Sequence, residues 1–262
     1  MSILAFNIAQ FFPSLNHQLL SLIMDKVGLD CKILTFFKNY LVERKTKYLW
    51  NNFISPLFYV NISIGQGSAL SLILSALYLS LIFHSLENCL KILKIPISII
   101  SFVDNRLFIS QNKSISHSNT NLFCSYNVIS SLLTRYSLVV EYRKTDVFYF
   151  SRSQGAFSPL PLILSVLGGP ILLPKNIWWY LGFIFDWKLI FRSYIDFYAN
   201  KAISTVKCMK MLGNSLRGIN PLQKRRLYRC CALSIALYMF LLWYYNKELH
   251  FGYQVHFRLL LH

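Results

Sequence analysis

An α+β fold is predicted for this chain by three observations. A short apolar strand runs straight into amphipathic helical patterns, two apolar runs flank a polar dipeptide in the manner of a hairpin, and the stretch from 197 to 247 is helical and basic. At 262 residues the chain can bury the core of one large domain, or of a main domain with a smaller appendage.

The elements follow in order. "ILAFNI" reads as the first strand, and Pro13 and Ser14 lead into "LNHQLLSLIMDKVG", a helix stopped by Gly28. A second helix covers "CKILTFFKNYLVE", followed by a basic loop, "RKTKYLW", and a strand near "LFYVNIS". "GQGSAL" breaks the pattern before a long apolar helix from about 69 to 90. The hairpin spans 97–110 with "SFVDNR" at its tip, where Asp104 and Asn105 suit a two-residue turn. A polar loop, "SQNKSISHSNTN", a helix over 122–135 and strands at "LVVEY" and "DVFYFSR" come next. The proline-rich stretch "AFSPLPLILSVLGGPILLPKN" is expected to be irregular, and "WWYLGFIFD" a second hairpin. Beyond it, "GNSLRGINP" separates two helical patterns, the second opened by a capping box of Asn220, Pro221 and Gln223.

Composition narrows the function classes. The 27 Lys and Arg against 10 Asp and Glu give a net charge of +17, which favours nucleic acid or an acidic membrane surface as partner. Aromatic content of 16% raises the membrane question, but the apolar runs at 69–83 and 230–245 fall short of the roughly 20 residues a span requires. Both are read as buried helices and membrane association as unlikely; "MSILAFNIAQFF" has neither the basic leader nor the cleavage site of a signal peptide. The six cysteines, at 31, 89, 124, 208, 230 and 231, form no CxxC pair, and the six histidines form no HExxH. They are expected to be reduced, mostly buried thiols of an intracellular protein, nuclear or cytoplasmic, without zinc or thiol chemistry.

Taken alone, "SFVDNR" is either a plain turn or a metal ligand beside a lost one. Five segments bear on the choice: "FNIAQFFPSLN" at 6–16, "GQGSALS" at 65–71, "FVDN" at 102–105, "KTDVFYF" at 144–150 and "WWYLGFIFD" at 178–186. In this order and at these intervals they resemble the palm motifs of a reverse transcriptase of the non-LTR retrotransposon type, over nearly the whole chain. The resemblance implies a palm over 1–192, with a mixed or antiparallel sheet packed on helices, a basic helical thumb-like region over 193–250 and a tail over 251–262. It further implies RNA-templated DNA synthesis, with RNA template, DNA primer and dNTP as partners and Mg²⁺ as cofactor.

Nucleotidyl transfer by two metals uses carboxylates to hold two Mg²⁺ ions about 4 Å apart. The resemblance places that triad at Asn7, Asp104 and Asn105, so Asp104 is the one remaining acidic metal ligand. An amide oxygen still coordinates, but it is neutral, and each missing charge weakens metal binding by roughly several kcal/mol. Little or no polymerase activity is therefore expected. By the same resemblance Phe12 stands where a ring excludes the ribose 2′ hydroxyl, and Gln66 and Gly67 open the turn that approaches the incoming nucleotide. Leu72 replaces a customary proline, and Lys144 matches a lysine able to protonate the departing pyrophosphate. Trp179, Tyr180, Leu181 and Gly182 match the primer grip, and Lys207, Lys210, Arg217, Lys224, Arg225, Arg226 and Arg229 would contact phosphates from the thumb.

Only six residues precede Asn7, so the fingers are expected to be missing, and the chain to be a truncated, decayed piece of a retroelement polyprotein. A non-catalytic nucleic-acid-binding module and, less favoured, a membrane-associated protein are the alternatives.

Overall fold

The computed structural model describes residues 1–65, 67–151, 162–163, 171–212 and 218–243. They form an α+β structure in two units, Met1–Tyr149 with Ser153–Lys175, and Phe150–Arg152 with Asn176–His262. The second unit takes in the "WWYLGFIFD" hairpin, which shares its core with the helix that follows it.

In the first unit, β1 (Ser2–Ile8) is almost wholly buried and leads through a short turn, α1 (Phe11–Ser14), into α2 (His17–Val27) and α3 (Cys31–Leu41). Asn16 caps α2 by accepting from the Leu19 N–H at 3.0 Å. Gly28 ends the helix at φ 75°, a conformation glycine takes without penalty. The expected basic loop and single strand are one hairpin: β2 (Lys45–Thr46) pairs with β5 (Phe58–Tyr59), and β3 (Leu49–Trp50) with β4 (Phe53–Ile54). Strand propensity in "KYLW" outweighs its basic character.

Helix α4 (Ser71–Ile92) runs 22 residues. Leu74, Tyr78, Ile82, Leu86 and Leu90 recur every fourth position and are buried, whereas Leu72, Ile73 and Ile92 are exposed. By length and composition it is the one helix among the described residues that could cross a membrane. The expectation of a buried helix thus holds for one face only. Strands β6 (Ser98–Phe102) and β7 (Asn105–Ser110) form the predicted hairpin, and α5 (Ile115–Arg135) begins two turns earlier than expected, taking in half of the polar loop. "LVVEY" and "DVFYFSR" merge into one bulged strand, β8 (Val140–Tyr149).

These strands make an antiparallel sheet in the order β6-β7-β1-β8. Phe6 anchors it, with its ring edge-on to Phe108 at 5.0 Å and to Tyr126 at 6.2 Å. Most of the proline-rich stretch lies outside the described residues; from it, β9 (Leu162–Ile163) pairs with β10 (Ile171–Leu172).

The second unit holds the hairpin β11 (Ile177–Tyr180) and β12 (Phe183–Asp186), then α6 (Arg192–Lys210). Phe183, Ile184, Phe191, Tyr194 and Tyr198 form its core. The Asp186 carboxylate accepts backbone N–H groups of Lys188 at 3.1 Å, Ile190 at 2.9 Å and Phe191 at 2.5 Å, which ties the hairpin to the start of α6. Helix α7 (Pro221–Leu227) opens on the predicted capping box, with Asn220 and Gln223 bonded reciprocally at 2.8 and 3.2 Å. The apolar run at 230–245 is not one buried helix. It passes from a π-helical segment (Tyr228–Leu233) through α8 (Ser234–Ala236) to α9 (Phe240–Trp243), broken at Met239, whose φ is 48°. Tyr238, Met239 and Phe240 there are exposed. The cysteines are not mostly buried either: Cys31, Cys208 and Cys230 are exposed and the other three half-buried.

Candidate functional site

The sheet register assembles the residues at the centre of the sequence argument. Asn7 on β1 lies directly opposite Asn105 on β7. Directly opposed residues of an antiparallel pair share a face, with Cβ atoms roughly 5 Å apart. Asp104 adjoins them in the turn: its carbonyl accepts the Ile8 N–H at 3.3 Å, and its carboxylate accepts from the Asn105 amide at 3.2 Å. The turn itself is shifted from expectation. Phe102 pairs with Asn105, so Val103 and Asp104 form the tip, and Val103 takes the positive φ of 55°. A β-branched residue is costly there, by about 1–3 kcal/mol.

On the other side of β1, Asn7 lies opposite Glu141 of β8. The register is regular from Ser2–Tyr149 to Ala5–Asp146 and then shifts. Had it continued, Lys144 would face Asn7; the bulge instead sets Lys144 aside, exposed, and brings Glu141 into line. The Thr145 hydroxyl closes the bulge by donating to the Glu141 carbonyl at 3.0 Å. Glu141 was not singled out from the sequence, because a three-residue register shift has no local pattern there. Asn105, Asn7 and Glu141 therefore form one row across three strands, each half-buried.

Arg106 is the second residue missed. It is fully buried, its guanidinium lies 4.9 Å from the Phe83 ring, and it donates to the Asn105 carbonyl at 2.8 Å. Alternation puts it on the helix-packed face with Phe6, its partner across β1. An arginine at an inward position of an otherwise apolar strand was the available signal. A cleft of about 430 Å³ opens next to this turn, between α4 and β6, lined by Leu72, Leu79, Phe83, Glu87, Ile99 and Val103 among others.

Phe12 and Gly67 lie on segments that the backbone draws together. The Phe12 carbonyl accepts the Ile64 N–H at 3.0 Å, the Leu15 carbonyl accepts the Ser63 N–H at 2.8 Å, and His17 Nε2 lies 2.7 Å from the Ser63 carbonyl. Gly67 follows at φ 89°, which requires glycine. Gln66 lies outside the described residues. Leu72 occupies the second position of α4, where a proline would fit as well, so its presence leaves the helix start unchanged.

In the second unit Trp179 is exposed, edge-on to Phe197 at 4.9 Å, and the half-buried Tyr180 stacks on Trp178 at 4.9 Å. Leu181 and Gly182 form the tip, with φ of 50° and 78°. Their carbonyls accept from the hydroxyls of Tyr238 at 3.1 Å and Tyr198 at 2.5 Å. A Cβ on Gly182 would lie 3.3 Å from the Tyr238 hydroxyl. Lys207 and Lys210 project from the end of α6, Arg225 and Arg226 from α7 and Arg229 from the π-helical segment, all exposed; Lys224 is half-buried and Arg217 lies outside the described residues.

The donors of the row do not fit a pair of Mg²⁺ ions. Asp104 is the single carboxylate among the three expected ligands, and one of its oxygens already accepts from an amide. Among the described residues no three His, Cys, Asp or Glu gather so as to hold a metal.

No protein-family model matches the sequence, and no curated protein matches it. Among solved structures there is partial likeness to telomerases of two yeasts. Apo telomerase of Candida tropicalis, truncated from its C-terminal domain, matches at TM-score 0.48 and 15% identity over 71% of this chain and 34% of that one. Telomerase of C. tropicalis in complex with a TWJ fragment of telomeric RNA matches at 0.49 and 13%, over 92% and 38%. The corresponding Candida albicans complex matches at 0.44 and 12%, over 77% and 35%. The chain thus spans little more than a third of each.

Proposed function

We propose that this chain is a reverse-transcriptase-like palm with a basic helical region, of the non-LTR retrotransposon type, whose two-metal site no longer polymerises and whose ligand remains nucleic acid. The observation that carries the reading is the pairing of Asn7 with Asn105, with Asp104 beside them. The three positions that the motif resemblance assigns to metal-binding acids lie at one end of adjoining strands, and two of them are amides. Asp104 alone, or Asp104 together with Glu141, falls short of the charge that two dications require. Within this reading the Asn105 amide bonds the Asp104 carboxylate without metal, Phe12 and Gly67 border the nucleotide site, and Lys144 sits outside the row.

Single-nucleotide primer extension on an RNA template, with Mg²⁺ and with Mn²⁺, tests this. The natural chain is expected to be silent and the Asn7→Asp, Asn105→Asp double variant to extend. Extension by the natural chain refutes the proposal. Silence from both, with primer–template still bound, leaves the polymerase ancestry without support.

A non-catalytic binding module is the second reading, favoured by the exposed Lys207, Lys210, Arg225, Arg226 and Arg229 in a stretch with no acidic residue from 197 to 247. If all five meet phosphates of a duplex, log Kobs falls against log salt with a slope of about −4 to −5.

A further inference from the structure

The hairpin formed by β2–β5 belongs to no site described above. It reaches from Lys45, opposite Tyr59, through Thr46 opposite Phe58 and Leu49 opposite Ile54, to Trp50 opposite Phe53. Asn51, at φ 51°, and Asn52 make the tip. Its middle is fastened by Ser55: its hydroxyl accepts the Tyr48 N–H at 2.8 Å, and its own N–H donates to the Tyr48 carbonyl at 3.0 Å. The hairpin is therefore ordered along its length, yet its rings are left in solvent. Trp50 is 76% exposed, Tyr48 67%, Phe53 63% and Tyr59 63%. Burying a large apolar side chain is worth roughly 1.5–3 kcal/mol, so four exposed rings on one short ribbon forgo a large gain unless a ligand covers them.

The rings are arranged, not scattered. Tyr48 meets Phe58 at 5.2 Å, and alternation along the strand sets Tyr48 and Trp50 on one face, with Phe53 across from Trp50. Cations flank them. Lys45 and Lys47 are exposed, the Lys45 ammonium lies 4.9 Å from the Tyr59 ring, and Arg44 sits at the base with its guanidinium 5.3 Å from the Tyr40 ring. No Asp or Glu occurs between Glu43 and Glu87. Flat rings in series with a cationic border complement a chain of π-faced bases joined by phosphates. A protein partner would have to offer an apolar surface that is also acidic.

We propose that the hairpin Lys45–Tyr59 binds single-stranded nucleic acid, with bases stacking on Tyr48, Trp50 and Phe53 and phosphates meeting Lys45 and Lys47. The site needs neither metal nor the Asn7 row, so it stands or falls apart from the polymerase reading. A duplex, whose bases are already stacked, gains nothing from the rings.

Fluorescence anisotropy of the full chain with labelled oligo-U, oligo-dT and a duplex of equal length tests the proposal. Trp50→Ala with Phe53→Ala is expected to weaken single-strand binding about 10-fold or more and duplex binding less than about 2-fold, while Trp50→Phe keeps most of the affinity. Lys45→Gln with Lys47→Gln is expected to flatten the single-strand salt slope by about 1.4. Arg225→Gln with Arg226→Gln should show the opposite preference, with the duplex suffering more. Because the ring side chains lie outside the core, circular dichroism should be unchanged. Oligo-U and oligo-dT separate RNA from DNA as the ligand. Equal loss on single strand and duplex, or no loss from the ring variants, overturns the proposal. Unchanged nucleic-acid binding with loss of self-association in the ring variants overturns it in favour of a protein contact.

Discussion

Placing acids at positions 7 and 105 gives a test of the row that needs no polymerisation. Asn7 and Asn105 are opposed across β1 and β7, and Asn7 is opposed again by Glu141. Opposed side chains in such pairs stand roughly 5 Å apart, so two carboxylates there repel by about 3 kcal/mol at an effective dielectric constant of 20 and by less than about 1 kcal/mol in bulk water. The row is half-buried, which places the coupling between these limits, at about 1–2 kcal/mol. Asn105→Asp alone adds a charge next to Asp104; Asn7→Asp alone adds one opposite Glu141. The double variant should be less stable than the sum of the two singles by that coupling, measured in urea at low ionic strength without divalent ions. Millimolar Mg²⁺ or Mn²⁺ should then recover the loss in the double variant and leave the natural chain unmoved, because an ion that binds only the folded state stabilises it by mass action. Additive single and double variants would refute the claim that the side chains share one row. A natural chain stabilised by Mg²⁺ as strongly as the double variant would refute the claim that the amides disable the site.

Four further outcomes are expected. Val103→Gly should raise stability by about 1 kcal/mol, seen as a higher urea midpoint with unchanged m, because glycine takes a φ of 55° without strain. Burial pushes the Tyr78 hydroxyl up from 10.0 to about 12 while it donates to the Tyr136 carbonyl at 2.9 Å. The unfolded chain then ionises first, so this contribution is whole below pH 10, falls as pH rises through about 12, and should be absent from the alkaline melts of Tyr78→Phe. Asn220→Ala removes the capping box and should cost about 1 kcal/mol, with α7 losing amide protection before α6 in hydrogen exchange. Phe6→Ala should cost about 3–5 kcal/mol in urea unfolding, since its ring meets both Phe108 and Tyr126 in the core.

What could be read from the sequence was whatever has a local cause. The Gly28 stop, the Asn220 capping box and the "WWYLGFIFD" hairpin are each specified within a few residues, and each formed where expected. The elements that differed depend on partners far along the chain. "KYLW" reads as a basic loop until "NN" is recognised as a turn that folds it back on "FISPLFY". The run at 230–245 reads as a helix because hydropathy does not reveal a π-helical start or a break at Met239. For the site, Asn7, Asp104 and Asn105 were marked by the motif resemblance, and the register sets the first opposite the last. Glu141 was not, because its place opposite Asn7 is created by a bulge several residues away, and the displacement of Lys144 follows from the same bulge.

Arg106 ties this end of the sheet together from its buried face. A sheet end with three carboxylates in one cluster is destabilised by mutual repulsion unless a metal neutralises it, so in a polymerase the ligand set and the local stability are coupled. Here Asp104 stands with two amides, the Asn105 amide donates to its carboxylate, and the buried Arg106 guanidinium donates to the Asn105 carbonyl from the opposite face. On the reading proposed above, the order β6-β7-β1-β8 needs no ion to hold it, and unfolding of the natural chain should be the same with Mg²⁺ as with a chelator.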